Sequence, residues 1–220
     1  MTLRARVLAE LGTVYDPELD EPITTLGFVS SCVVGAAGDV EVRLRLPTPQ
    51  CAPNFAYLMA ADARAAVRRL PEAREVTVVL EDHYTGDEIN AAVGRGRGFD
   101  AAFPGETAAD LGALRELFRR KALLAREGRL LATVDEPTKA TLGDLSGPDA
   151  ERCRELRRAL GMDASDGAPA FVTGDGIPVS ADELPRFKRL AGLTALSLET
   201  NGGMCRDLLR VRYEKEGVAA

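Results

Sequence analysis

The sequence predicts an α/β fold. Its core is a small α+β sandwich of helix, strand, strand, helix and strand, followed by a mixed α/β extension. Residues 40–46 alternate apolar and charged side chains, as a half-buried strand does. Apolar residues recur at helical spacing in 3–14 and 54–70, on either side of that strand. The 220 residues are enough for one large domain or two small ones.

The first five elements follow from apolar periods of 3.6 or 2 residues. They are helix 3–14, strand 28–34, strand 40–46, helix 54–70 and strand 76–80. Pro17 ends the first helix because the residue before a proline avoids the α conformation. The short turn at 35–39 predicts that the first two strands form an antiparallel hairpin.

The rest of the chain is predicted as helices with two short strands. The first elements are a helix after a capping box at 85–88, a glycine-rich break at 94–98 and a helix from an N-cap at 107–110 to about 126. A helix follows Pro148, then a strand at 170–173 and a helix capped by 180–183. The last elements are a strand at 193–198, a tight turn at 201–203 and a helix at 204–212. A turn-rich linker is placed at about 129–148. The predicted domains are therefore 1–84, a helical connector 85–128 and a C-terminal extension 129–220.

Composition excludes several classes of protein. The net charge of −6 argues against non-specific nucleic-acid binding, which requires a basic surface. We also expect no membrane span, because no apolar run approaches about 18 residues. We expect no signal peptide, because the first residues lead into no long apolar core. The four cysteines are far apart, and without an export signal we expect reduced thiols in a cytoplasmic protein. They form no C-x-x-C, which argues against a zinc knuckle or a ferredoxin-type site. Cys32 and Cys153 lie among apolar neighbours and are assigned to the core.

Cys51 is the first candidate functional residue. It follows a predicted strand in a proline-stiffened loop, Pro47 to Pro53, and precedes a predicted helix. A helix N-terminus favours the thiolate, the form that attacks electrophiles or binds soft metals. The alternative is a buried structural cysteine, since free cysteines are often buried.

Cys205 is predicted in a similar setting in the second half of the chain. It follows Asn201-Gly202-Gly203-Met204, where glycines let the backbone approach a ligand closely. We hypothesise that Cys51 and Cys205 face each other across a cleft, with Asn201 in support. The alternative is a plain turn followed by an inward-packed thiol.

His83, the single histidine, and the pair Asp16 and Glu18 are the remaining candidates. His83 follows the third strand beside two carboxylates, a setting that suits a metal ligand or a catalytic base. Asp16 and Glu18 flank Pro17 and are suited to binding cations or to acid–base work. For all three, the alternative is a polar turn held by local hydrogen bonds.

The glycine-arginine run at 94–98 is not a P-loop, because it follows a helix and lacks the Gly-Lys-Ser/Thr ending. It is interpreted as a hinge that carries two cations, with an acidic partner as one possible ligand.

Taken together, Asp16-Pro17-Glu18, Leu26-Gly27, the alternating strand to Leu46 and the loop ending in Cys51 resemble the metal–sulfur (iron–sulfur) cluster assembly factor family. This family includes PaaD-type and SUF-associated domains. The resemblance covers residues 3–82. It implies an α/β domain that assembles or delivers iron or iron–sulfur clusters, with Cys51 as the reactive cysteine and Asp16 and Glu18 as the acidic turn.

The favoured hypothesis is a maturation factor that transiently binds iron or an iron–sulfur cluster through Cys51 and delivers it to a client apo-metalloprotein. An oxygenase component is one candidate client, and a homodimer is left open. Two alternatives remain: a non-carrier chaperone for an apo-oxygenase, a di-iron one included, and a thiol-dependent enzyme using Cys51 with His83. The residues favour an assembly factor over an enzyme.

Overall fold

The computed structural model describes residues 1–105 and 111–214. It divides into two compact units. The first consists of Met1–Leu111 and Asn201–Ala220, and the second of Gly112–Thr200. The N-cap predicted at 107–110 lies outside the described residues.

The first unit contains the predicted sandwich. Its elements are α1 (Leu3–Leu11), β1 (Tyr15–Asp16), β2 (Glu21–Pro22), β3 (Val29–Val34), β4 (Val40–Arg45), α2 (Pro53–Val67), β5 (Val76–Glu81), α3 (Gly86–Gly94) and α4 (Phe99–Ala102). β1 and β2 form a short antiparallel ribbon, and the other three strands form a sheet in the order β3-β4-β5. The α/β fold class is confirmed.

The connections explain the sheet topology. β3 and β4 are antiparallel because a tight turn joins them, with Gly38 at a φ of 90° that only glycine adopts readily. β4 and β5 are parallel because α2 carries the chain back across the sheet. The alternation in β4 has the expected effect: Val40, Val42 and Leu44 are buried.

One apolar core fills this unit. It joins α1, α2 and α3 to the inner face of the sheet, and Cys32 belongs to it as predicted. On the outer face, Glu81 binds both Arg43 and Arg45, at 2.9 and 2.7 Å. The sheet therefore has one dry face and one charged face.

The second unit is helical and has its own core. It contains most of α5 (Leu111–Leu130), all of α6 (Pro148–Ala159) and the first part of α7 (Leu184–Glu214), with short 3₁₀ helices at Leu131–Thr133 and Leu142–Asp144. Cys153 is fully buried in this core, as predicted. α5 and α7 approach closely because Gly128 has no side chain where it meets Ala191.

A buried ion pair crosses this second core. Arg157 donates to Glu127 over 2.6 Å, and both side chains are almost completely buried. The other carboxylate oxygen of Glu127 accepts the Val172 N–H at 3.1 Å. Burial raises the pKa of Glu127 to about 7, although Arg157 and the Val172 N–H act in the opposite direction.

Several predictions for the extension are wrong. Residues 193–198 and 201–203 are not a strand and a turn: they lie inside α7, a single helix of 31 residues. In place of a strand at 170–173, the described residues show isolated bridges, Thr141 with Pro169 and Val172 with Pro178. Short apolar runs fit either a strand or a helix, and the run at 193–198 is helical.

The capping box predicted at 85–88 does not form. Thr85 is the N-cap of α3, but its side chain makes no capping hydrogen bond and instead contacts His83. Among the described residues, no helix is long and apolar enough to span a membrane.

Candidate functional site

Cys51 lies where the sequence placed it, in the loop between β4 and α2. Ala52 is the N-cap of α2 and Pro53 its first residue. The thiol is half-buried against the core, with the Thr48 hydroxyl 3.6 Å from its Sγ. The loop therefore presents one partly covered thiol at the end of a strand and the start of a helix.

The segment after β5 fixes the Cys51 loop. His83 Nε2 lies 2.7 Å from the Cys51 carbonyl oxygen, and the Tyr84 N–H donates to the Pro49 carbonyl at 3.1 Å. The Thr85 N–H lies 3.3 Å from His83 Nδ1 and can only donate, so Nδ1 accepts. In the neutral ring the proton is then on Nε2, which donates to Cys51.

The electrostatics of His83 agree with this neutral ring. Burial lowers its pKa, the nearby Arg212 guanidinium also lowers it, and the bond to Cys51 acts in the opposite direction. Both ring nitrogens are engaged with the main chain or with Thr85. The imidazole is therefore placed to position Cys51.

Residues 201–214 of α7 bring Cys205 to the same region. Arg206 forms an ion pair with Glu21 of β2. Gly202 also faces that carboxylate, in a place where a Cβ would collide with it. A Cβ at Gly203 would meet no atom within 4 Å, so only Gly202 is tied to this contact. Cys205 lies mid-helix instead of in a first turn.

The end of α7 is held at the loop that carries His83. Arg212 donates to the carbonyl oxygens of Leu46 and Asp82 at 3.1 and 2.8 Å. The Tyr213 hydroxyl donates to the Asp82 carboxylate at 3.2 Å, and the Arg45 guanidinium lies 4.6 Å from the Tyr213 ring centre. Asp82 itself has a φ of 51°, an uncommon left-handed conformation that aspartate tolerates.

Cys205 is half-buried and interacts with Cys51 and the acidic turn. Burial raises its pKa to about 11, and negative charge on Asp16, Cys51 and Glu18 acts in the same direction, opposed by Arg206. The Cys205 thiol is therefore protonated at neutral pH until an electrophile or a metal displaces the proton.

Asp16 and Glu18 form the polar turn expected as the alternative. Asp16 accepts the N–H groups of Glu18 and Leu19 at 2.8 and 2.9 Å. Burial raises the pKa of Asp16 to about 6, against the opposing effect of these two bonds. Asn201 lies on α7 one turn before Cys205 and is half-buried.

Asp16, Cys51 and Glu18 are thus the groups whose charge acts on Cys205, and His83 contacts the backbone of the Cys51 loop. Within the described residues, no group of three or more His, Cys, Asp or Glu side chains is arranged to hold a metal ion. Sequence reasoning missed the residues that dock α7: Glu21, Arg206, Arg212 and Tyr213. Glu21 and Arg206 are 185 positions apart, and no local pattern links them.

Comparison with known proteins identifies the family. The model of a family described as iron–sulfur cluster assembly protein matches residues 4–79. An uncharacterized protein of Methanocaldococcus jannaschii is 32% identical over 90 residues, which are 41% of this chain and 93% of that relative. The chain belongs to the iron–sulfur cluster assembly protein family. This membership supports a role in iron–sulfur cluster assembly, and the matched segment includes Cys51. No solved structure matches the chain.

Proposed function

We propose that this protein holds iron or an iron–sulfur cluster transiently between Cys51 and Cys205 and passes it to a client apo-metalloprotein. The observation that supports the proposal is that Cys51 and Cys205 are both half-buried against the same apolar core, and that charge on Cys51 contributes to the raised pKa of Cys205. Thiolates are the ligands that iron–sulfur clusters use in proteins.

The ligand count favours transfer over storage. Clusters are usually held by four cysteine thiolates, and this pair supplies two. The remaining coordination positions are then filled by a second copy of the chain, by small thiols or by the client. A client that offers more thiolates displaces the two cysteines, and each displaced thiolate takes up a proton.

His83 is a positioning residue in this proposal. Its ring bonds the Cys51 carbonyl and not the thiol, so it orients the loop that presents Cys51. This geometry does not favour the thiol-dependent enzyme, in which the same ring would take the proton from Cys51 Sγ.

Anaerobic reconstitution with ferrous iron and sulfide tests the carrier proposal. The wild type is compared with Cys51→Ser and Cys205→Ser, and the buried thiols provide matched controls, Cys32→Ala and Cys153→Ala. The wild type and both controls should show the charge-transfer absorbance and Mössbauer signals of bound iron or cluster. In the two Ser variants these signals should be absent or should decay rapidly. Circular dichroism then measures the transfer of the cluster to apo-ferredoxin.

Two outcomes contradict the proposal. One is a wild type that binds neither iron nor cluster; the other is binding that survives both Ser substitutions. Capture of a client oxygenase by the wild type and equally by Cys51→Ser, without any cluster, favours the non-carrier chaperone. Sedimentation with and without cluster tests whether a homodimer supplies the missing thiolates.

A further inference from the structure

A second pocket in the first unit is distinct from the cysteine site. It has a volume of about 420 Å³ and lies between α2 and the glycine-arginine loop that follows α3. Arg64 lines it from α2, Arg68 from the C-cap of that helix, and Arg97 from the loop. Among its lining residues there is no Asp or Glu, although the whole chain has a net charge of −6.

This concentration of positive charge has a cost for the free protein. Arg64 lies in the last turn of α2 and Arg68, four residues further on, is its C-cap; like charges at this spacing repel each other. A bound anion between them removes the repulsion. The three guanidinium groups therefore favour binding of an anion in this pocket, although the chain as a whole is negatively charged.

Part of the pocket is ordered before any ligand binds. Arg64 donates from Nε to the Val76 carbonyl at 3.2 Å and from Nη2 to the Gly94 carbonyl at 3.3 Å. Its remaining nitrogen, Nη1, faces Gly96, which has a φ of 64°. The Tyr57 hydroxyl fixes the loop by donating to the Arg97 carbonyl at 2.7 Å. Groups held in place in this way lose little entropy on binding.

The contacts differ from those of a P-loop. The N–H groups of Gly96 and Arg97 already donate to the carbonyls of Val93 and Ala92, so they are engaged within the loop. An anion is therefore bound by guanidinium groups, whose planar donors match the oxygens of a phosphate. Tyr57, Ala61 and Val93 form an apolar wall beside them, and the volume suits a small molecule.

We propose that this pocket binds a small phosphorylated compound, with its phosphate on Arg64, Arg68 and Arg97 and its organic part against Tyr57 and Val93. The proposal is independent of the two cysteines and of the cluster-carrier function. It gives the protein a ligand site that neither the family match nor the thiol chemistry assigns.

Calorimetric titration of the full chain at 150 mM NaCl tests it, with adenosine monophosphate, inorganic pyrophosphate and adenosine as probes. We expect the monophosphate to bind more tightly than pyrophosphate, because only the former uses the apolar wall. Arg68→Gln and Arg97→Gln should each weaken binding of the monophosphate by about tenfold. The matched control is Arg95→Gln, an exposed arginine of the same loop that does not line the pocket; it should change binding less than about twofold.

Four results overturn the proposal. The first is that neither phosphorylated probe binds; the second and third are that adenosine or pyrophosphate binds as tightly as adenosine monophosphate. The fourth is that Arg95→Gln weakens binding as much as Arg68→Gln does. Because Arg68, Arg95 and Arg97 are exposed, the variants should keep the wild-type melting temperature. A variant that does not is replaced by the corresponding lysine substitution, which keeps the charge and loses the planar donors.

Discussion

His83 is bonded to the backbone of Cys51: its Nε2 lies 2.7 Å from the Cys51 carbonyl oxygen, and the two residues are 32 positions apart. The ring thus ties the end of β5 to the loop that carries the thiol. Together with the Tyr84–Pro49 main-chain bond, it limits how far the Cys51 loop can move.

His83→Ala should lower the free energy of unfolding by about 1–2 kcal/mol, because it leaves a partly buried carbonyl without its donor. Urea unfolding measures this loss. Thr85→Val is the matched control, since it removes the hydroxyl near Nδ1 and leaves the bond to Cys51 intact. An equal loss of unfolding free energy in both variants would show that the hydrogen bond to the Cys51 carbonyl adds no stability of its own.

The ion pair between Arg206 and Glu21 should be needed to hold Cys205 beside Cys51. Arg206→Glu places two negative charges together and should accelerate loss of a reconstituted cluster. The double variant Glu21→Arg with Arg206→Glu restores the attraction and should restore retention. Decay of the cluster absorbance measures both, and a double variant as unstable as the single one contradicts a role for the pair.

Arg212 should anchor the last turns of α7. Arg212→Ala removes two donors, to Leu46 and Asp82, and should increase amide hydrogen exchange in residues 205–213. Arg210→Ala is the control, because the Arg210 side chain pairs with the exposed Asp207 on the same helix. Similar exchange in the two variants would mean that Arg212 does not hold the helix end.

Asp16 should make the protein less stable as pH rises. Burial raises the pKa of Asp16 to about 6 from an ordinary 3.8, so the folded state holds the proton more tightly than the unfolded state. The stability linked to this proton is fully present below about pH 4 and is lost as pH rises through about 6.

Asp16→Asn keeps an oxygen that can accept the N–H groups of Glu18 and Leu19 but does not titrate. Compared with the wild type, its free energy of unfolding should gain about 2–3 kcal/mol between pH 4 and pH 7. Urea unfolding across that range measures the difference. A constant difference between the two proteins contradicts the assignment.

The Glu127–Arg157 pair should be strongly coupled. Arg157→Leu leaves the buried Glu127 carboxylate without its partner and should lower the free energy of unfolding by about 3–5 kcal/mol. Glu127→Leu leaves the Arg157 guanidinium unpaired and should lower it by a similar amount. The double variant should cost less than the sum of the two. A double-mutant cycle by chemical unfolding measures the coupling, and additive losses would exclude it.

The sandwich could be predicted because its signals are local. The alternation in 40–46 and the prolines that flank α2 act over a few residues, and they placed Cys51 correctly between a strand and a helix. The C-terminal strand at 193–198 and the turn at 201–203 could not be predicted correctly. Glycine usually disfavours a helix interior, and a tertiary contact with Glu21 exists for Gly202 but not for Gly203.

The sequence by itself determined the class of the first domain, its family and the position of Cys51 between a strand and a helix, because strand period, turn chemistry and motif spacing are properties of neighbouring residues. Only the tertiary structure decided that Cys205 interacts with Cys51, that His83 holds a carbonyl, and that Arg64, Arg68 and Arg97 line one pocket. These relationships join residues tens to more than a hundred positions apart. They depend on how helices pack and on which partners buried polar groups bind. Neither can be inferred from the local spacing of apolar residues in the sequence.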